Sequence, residues 1–462
     1  MSNLLSVTSE RPFFTVEGED VCYIFDVPHL IKSFRNNFLK HSFKYDGNVA
    51  SWSDISAMYQ HDKKFNLRLL SKLTDAHVNP NCFQKMKVKL ATQVISQTVA
   101  SCIRTYVSLG KLKKDSLATA SLISEMDKLF DILNSSKKEN ANAKCYNRAW
   151  MGADYQTQFL RAALGLVSSI SVVNNKGKDV TKTMKFLHGF EVTINSITFL
   201  WGMLKKRGFT FLLIRRLNQD GLENFFSSLR KVSGNARNPT PIQVQRGFKK
   251  VFVLGFFEQV PHTNCEPDMD TILEQIGRTR NAAGTTSKEI QRKGTTPLLV
   301  YTTSYKTDLP AKNALYYVSG YLAKTCLTRH CCDQCQKMLN CNSELGDYSL
   351  FTHYKAYKNH FSDVFGNLKA PHVNFLSYVS ALEDIFVENL DKMVLRPSVG
   401  LSLVNLMAKS INFCPPCQNF DVIYLLKLFV RMRIYYTLKY TNRDLRSTLT
   451  AKTQKLKFVQ HL

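Results

Sequence analysis

Apolar residues recur every three or four positions along most of this chain, and that spacing predicts a protein built mainly of helices. Leu30, Ile31, Phe34 and Phe38 make the first stripe, with Lys32, Arg35 and Lys40 on its other side. Shorter stretches of the same period lie between positions 54 and 106, among them Phe65–Leu69–Leu70–Leu73 and Met86–Leu90–Val94. Leu117 to Leu133 is a longer stripe closed by the polar run NSSKKENANAK, and Met184 to Leu204 is another, closed by Gly208. Phe159 to Val173 is apolar and rich in small residues, and the NNKGKD after it reads as a turn. In the second half, Ala314–Leu327 and Val422–Leu438 give two more helices, while the polar stretch through Lys293 reads as an exposed linker. One segment breaks the pattern. Val21 to Phe25 is a short continuous apolar, β-prone run of the kind shown by a strand buried on both faces, and residues 1–20 read as an irregular lead-in.

Length and charge narrow this picture. A chain of 462 residues exceeds what one core organises and predicts roughly two or three domains. Its 62 basic against 36 acidic residues leave a formal net charge of +26, spread along the chain. Such an excess suits a polyanionic partner, nucleic acid before an anionic membrane surface. No run of eighteen apolar residues occurs, so no membrane span is expected. The opening MSNLLSVTSERPFF lacks the charged-then-apolar layout of a signal peptide. Twelve cysteines without such a signal point to reduced thiols or metal ligands rather than a disulfide framework, so nuclear or cytoplasmic residence follows, and the charge favours the nucleus.

Candidate chemistry sits at two places. Asp26 follows the apolar run and precedes the Leu30–Phe38 stripe, with Pro28 suited to a helix start. It reads either as an N-cap or as an acid at the C-terminal end of a strand, where α/β folds place their chemistry. The second place is Arg215 to Gln245. There Leu222, Phe225, Phe226 and Leu229 predict a buried helical stripe, and Asp220 and Glu223 stand three apart on one face. No G-x4-G-K-[ST] phosphate loop is present, and Asn175-Lys176-Gly177-Lys178-Asp179 is one residue too long for a guanine-reading NKxD, so a polar turn is the reading there.

The stretch RRLNQDGLENFFSSLR followed by GNARNPTPIQVQ closely resembles the C-terminal catalytic segment of P element-type transposases and their THAP-domain relatives. The D-x-x-H-x-x-K-x-x-R-N run beginning at Asp26 and the segment ALYYVSGYLAKTCL resemble the same family. The resemblance implies a mixed α/β, mostly helical fold: a partial RNase H-like fold interrupted by a large α-helical GTP-binding insertion and followed by a helical C-terminal domain. Its boundaries would fall at 1–60 and 215–250 for the RNase H-like parts, 61–214 for the insertion and 251–462 for the basic C-terminal domain. It implies Asp26 and Glu223 as the second and third catalytic acids, holding Mg2+, and Asp220 near a bound GTP that serves structure rather than hydrolysis. Clustered carboxylates suit that chemistry, since hard divalent ions take oxygen ligands and two of them about 4 Å apart promote in-line displacement at phosphorus. DNA, as transposon ends, is the implied partner, and a homo-oligomer stays open. The first catalytic acid and the zinc-dependent THAP module of the family lie upstream of such a segment. The expectation is therefore a C-terminal portion lacking both, and inactive by itself.

The remaining motifs come from the residues alone. Cys332-x2-Cys335 and Cys414-x2-Cys417 are two C-x2-C pairs with His330, Cys331 and Cys341 near the first. They read either as a tetrahedral zinc site of four cysteines or as unligated thiols. Tyr316, Tyr317, Tyr321 and Lys324 read as a packed helix or as a surface for stacking on DNA, and Arg431 and Arg433 as a solvated face or phosphate contacts. Two function classes follow: a transposase-derived DNA-binding protein, or a domesticated non-catalytic scaffold whose helices serve DNA or protein partners.

Overall fold

The computed structural model describes residues 6–65, 67–138, 144–232, 234, 238–255, 308–330, 332–339, 346–356, 368–393, 398–413, 415 and 417–448. The linker expected through Lys293 falls largely outside them, as does Cys414. The described chain is mostly helical, with a few short strands. It divides into two compact units, one of residues 1–56, 73–100 and 114–270, the other of residues 57–72, 101–113 and 271–462.

The first 255 residues carry β1 (Phe13–Val16), β2 (Glu19–Cys22), α1 (Val27–Phe38), β3 (Ser42–Tyr45), β4 (Asn48–Ala50), α2 (Trp52–Lys63), α3 (Asp75–Val78), α4 (Cys82–Lys85), α5 (Val88–Val94), α6 (Gln97–Ser108) and α7 (Ser116–Leu133). They continue with α8 (Asp154–Ser169), β5 (Ser171–Val173), α9 (Lys185–Lys206), α10 (Asp220–Val232) and α11 (Pro241–Gly255). Strands β4, β3 and β5 form a small antiparallel sheet in that order. The core of the first unit is aromatic. Phe34, Phe38 and Phe43 meet one another, and Phe34 and Phe43 also meet Phe186, at ring-centroid separations of 5.0–6.1 Å, with Trp52 edge-on to Phe38. Helix α1 lies so close to α9 that a Cβ on Gly189 would stand 2.6 Å from Leu30 Cδ2.

The run Val21–Phe25 is not a strand buried on both faces. Strands β1 and β2 make a two-stranded antiparallel hairpin instead, turning at Glu17 and Gly18 with φ of +50° and +85°, and Val21 is exposed. The lead-in is therefore partly regular. Tyr23 N–H still donates to the Pro12 carbonyl, and beyond it the backbone turns to α9: Phe25 N–H donates to Thr193 Oγ1, and the Ser196 hydroxyl lies against the carbonyls of Pro12 and Tyr23. A polar face of one helix satisfies what a neighbouring strand would otherwise have to satisfy.

The helical spacing at Leu69–Leu73 is also misleading. The Asp62 carboxylate, buried in the second unit, accepts the N–H groups of Leu69 and Leu70 and holds that segment as an irregular turn. The NNKGKD segment is a turn as its composition requires: Asn174 Oδ1 accepts the N–H of Lys176 and of Lys178, and Gly177 has φ of +76°.

The second unit adds α12 (Leu309–Arg329), α13 (Asp333–Leu339), α14 (Leu350–Lys355), α15 (Val373–Met393), α16 (Val399–Ser410) and α17 (Val422–Thr448). Helix α12 packs against α14, α15 and α17, and α16 packs between α15 and α17. Tyr316 is core, and Tyr317 receives a hydrogen bond from Lys355 Nζ at 2.8 Å, so this helix is packed rather than open for stacking. Arg433 is neither on a solvated face nor on a surface that phosphate could reach. It is 1% exposed and donates Nε and Nη2 to the equally buried Glu383 at 2.6 and 2.8 Å, tying α17 to α15. Arg431 is exposed. Among the described residues no helix is long and apolar enough to cross a membrane.

Candidate functional site

Asp26 stands where two helices begin. It is the N-cap of α1, its Oδ2 accepting His29 N–H at 3.1 Å. Its Oδ1 accepts the N–H of Gln219, the residue before α10, at 2.8 Å. These partners lie 193 positions apart, so one carboxylate joins the two segments that the sequence singles out. The first turns of both helices present unpaired N–H groups and a partial positive charge, a setting that favours an ionised carboxylate. The side chain of Asp26 is only 6% exposed. Each of its oxygens still has a lone pair beyond the one it uses.

Glu223 lies one turn into α10, 58% exposed, with Oε1 3.4 Å from His29 Nε2. The other nitrogen of the same imidazole, Nδ1, is 3.7 Å from Asp26 Oδ2. His29 thus stands between the two carboxylates, a residue the sequence reading passed over although the D-x-x-H spacing carries it. Asp220 opens α10 and faces away from this group toward Arg215, whose Nε is 3.6 Å from its Oδ2. The predicted buried stripe of α10 is buried at Leu229 only: Leu222 is 55% and Phe226 47% exposed.

The donor set fits a hard divalent cation in chemistry. Asp26 and Glu223 offer carboxylate oxygens from two helix starts. Among the described residues the ligand atoms of Asp26, His29 and Glu223 do not close into a three-ligand cluster, and no further acid completes one with them. For a guanine nucleotide the fit is narrower. A carboxylate such as Asp220 can accept the two adjacent donors of a guanine edge, but here it already faces Arg215 at 3.6 Å.

Three of the four cysteines singled out in the sequence come together. Cys332, Cys335 and Cys417 are neighbours, and a further group beside them is His330 at the end of α12. Cys414, the fourth cysteine of the expected set, lies outside the described residues.

Both sites lie in a chain with a transposase-like signature. Residues 28–146 match the family model described as "TNP-like, GTP-binding insertion domain", and residues 216–249 match "TNP-like, RNase H C-terminal domain". These matches show the resemblance to P element-type transposases. Among individual proteins, the chain is 25% identical over 467 residues to the Transposable element P transposase of Drosophila melanogaster, with 98% of this chain and 57% of that protein aligned. It is 25% identical over 248 residues to the DNA transposase THAP9 of Homo sapiens, covering 50% of this chain and 26% of that one. The chain therefore spans little more than half the length of the first of these relatives and a smaller share of the second. The solved Drosophila P element transposase strand transfer complex aligns with 27% identity and a TM-score of 0.49 over 56% of this chain and 58% of that chain.

Proposed function

We propose that this chain is a P element-like transposase portion or derivative, in which Asp26 and Glu223 are acidic ligands for Mg2+ in a partial RNase H-like site. The observation that supports it most is the Asp26 Oδ1 to Gln219 N–H bond, which sets the α1 and α10 starts side by side. A helical insertion would separate the two RNase H-like parts, and the second unit would form a basic C-terminal domain. When bound, a divalent ion would neutralise charge on a phosphodiester under attack. The chain's residues would do the positioning: Asp26 is fixed by two N–H donors, and Glu223 is free to move on an exposed helix face. GTP would bind near Asp220 and Arg215 as a structural cofactor, DNA would be the partner, and the nucleus the place of action. Among the described residues two acids meet here, fewer than a two-metal centre uses, so binding of DNA without cutting is the expected outcome.

The test is titration of the purified chain with Mn2+ as a paramagnetic stand-in for Mg2+, together with a nicking assay on supercoiled DNA. Weak binding lost in Glu223→Gln, without nicking, supports the reading. Metal-dependent nicking overturns the inactive assignment, and Mn2+ binding unchanged by Glu223→Gln overturns the site. The exposed Leu222 and Phe226 on α10, with Ile242 and Phe248 on α11, favour a second reading as a non-catalytic scaffold, in which neither acid matters to partner binding.

A further inference from the structure

The second unit holds a cluster that the transposase reading does not use. His330 ends α12, Cys332 immediately precedes α13, Cys335 lies in the first turn of α13, and Cys417 precedes α17. One ligand atom from each lies within 4.8 Å of all the others. His330 Nε2 is 3.1 Å from Cys417 Sγ, and Cys335 Sγ is 3.5 Å from Cys417 Sγ. The backbone N–H of Cys335 points at Cys332 Sγ at 3.4 Å.

These separations carry information. A disulfide needs sulfurs about 2.05 Å apart. A tetrahedral ion with Zn–S near 2.3 Å and Zn–N near 2.0 Å spaces its ligand atoms by roughly 3.3 to 3.8 Å. The Cys335–Cys417 sulfur separation of 3.5 Å falls in that range, the His330–Cys417 approach of 3.1 Å is a little tighter, and the sulfur pair is well beyond a disulfide. A C-x2-C pair at a helix start also places two sulfurs on one side of the chain while the first turn donates N–H to a sulfur, which stabilises a thiolate. Three thiols and an imidazole collected from three separate segments, with Cys335 fully buried, make poor packing as an apolar core but a complete ligand set.

We propose that His330, Cys332, Cys335 and Cys417 bind one structural zinc ion as a closed site of three sulfurs and one nitrogen. The ion pins the end of α12 and the start of α13 to the loop that leads into α17, and three thiol protons leave as it binds. All four positions are filled by protein, so the site is structural rather than catalytic. Cys331 and Cys414 lie outside the described residues, and the proposal gives them no part in the site. This proposal is independent of the Asp26–Glu223 site.

The full chain, purified without chelator, should carry about one zinc per chain by elemental analysis. X-ray absorption at the zinc edge should fit three sulfurs and one nitrogen. Cys417→Ala and His330→Ala should lower the zinc content to about a tenth or less under competing chelator, while Cys331→Ser and Cys414→Ser should keep it. Because a ligand variant can fail to fold, the absorption measurement on the unaltered chain decides by itself. A four-sulfur shell, or zinc kept by His330→Ala and lost by Cys414→Ser, overturns the ligand set. A chain that emerges folded, metal-free and with titratable thiols, and stays metal-free after incubation with zinc, overturns the site.

Discussion

Asp26 acts as a cap in the structure, and the proposed function adds a separable part as a ligand. As a cap it accepts one N–H at the start of α1 and one before α10. Asp26→Ala leaves both donors without that partner and should cost about 2 kcal/mol of stability in urea unfolding. Glu223 is 58% exposed and meets the His29 ring edge, so Glu223→Gln should change stability by no more than about 0.5 kcal/mol. If both variants lose divalent-ion binding while only the first loses stability, the two roles are distinct residue by residue. A second residue-level consequence follows from Asp62. Burial pushes its carboxyl up to about 6, against the smaller downward pull of the Leu70 and Leu69 N–H groups, nearby Arg68 and the Tyr106 hydroxyl. A folded-state value above the unfolded one means that the folded chain holds the proton more tightly. The stabilising contribution is then complete below the ordinary value of 3.8 and is lost as pH rises through about 6. Between these limits the unaltered chain should lose on the order of 3 kcal/mol relative to Asp62→Asn. Unfolding midpoints of both proteins across that pH range check it, and parallel curves would assign the pH dependence elsewhere.

At the scale of elements, close approach decides which helices tolerate change. Gly320 sits in α12 where an added Cβ would run into the carbonyl oxygen of Lys369, a backbone atom that no side-chain rotation can move. Gly320→Ala should therefore destabilise the second unit by about 3 kcal/mol or more. Gly165, in α8 with nothing within 4 Å of its Cβ position, should respond oppositely, with Gly165→Ala raising stability by about 0.5 to 1 kcal/mol. Thermal unfolding of the pair checks both signs. Neither contact was legible in the sequence, where the glycines look alike. What periodicity did reveal was the stripes of α1, α7, α9, α12 and α17, because each keeps apolar positions buried over three or more turns. It failed where a polar group from elsewhere settled the backbone: Thr193 and Ser196 at Tyr23–Phe25, and the Asp62 carboxylate at Leu69–Leu70. It failed again at α10, because an amphipathic pattern marks an apolar face without saying that anything covers it. The candidate site was half legible. Asp26 and Glu223 carry the family resemblance, but the bond that unites their helices runs to the Gln219 backbone, which no side-chain pattern reports. His330 was visible as a neighbour of its cysteines, and only the return of Cys417 made it a member of their cluster.

For the molecule as a whole, the +26 charge would set the terms of the proposed binding to DNA. A basic excess spread along the chain acts mainly through release of counterions from phosphates, so affinity should fall linearly with salt on logarithmic axes. Contact with six to ten phosphates would lower duplex affinity by about a thousandfold or more between 50 and 200 mM salt. Exposed cations account for that slope, and the two acids do not, so Glu223→Gln should leave it unaltered. Base readout would add a part that depends on sequence and resists salt, which a comparison of P element-like ends with scrambled duplexes isolates. A binding curve insensitive to salt would mean that the charge serves solubility or an acidic protein partner. A steep slope equal for both duplexes would mean that this chain grips DNA through its backbone and leaves the choice of sequence to something else.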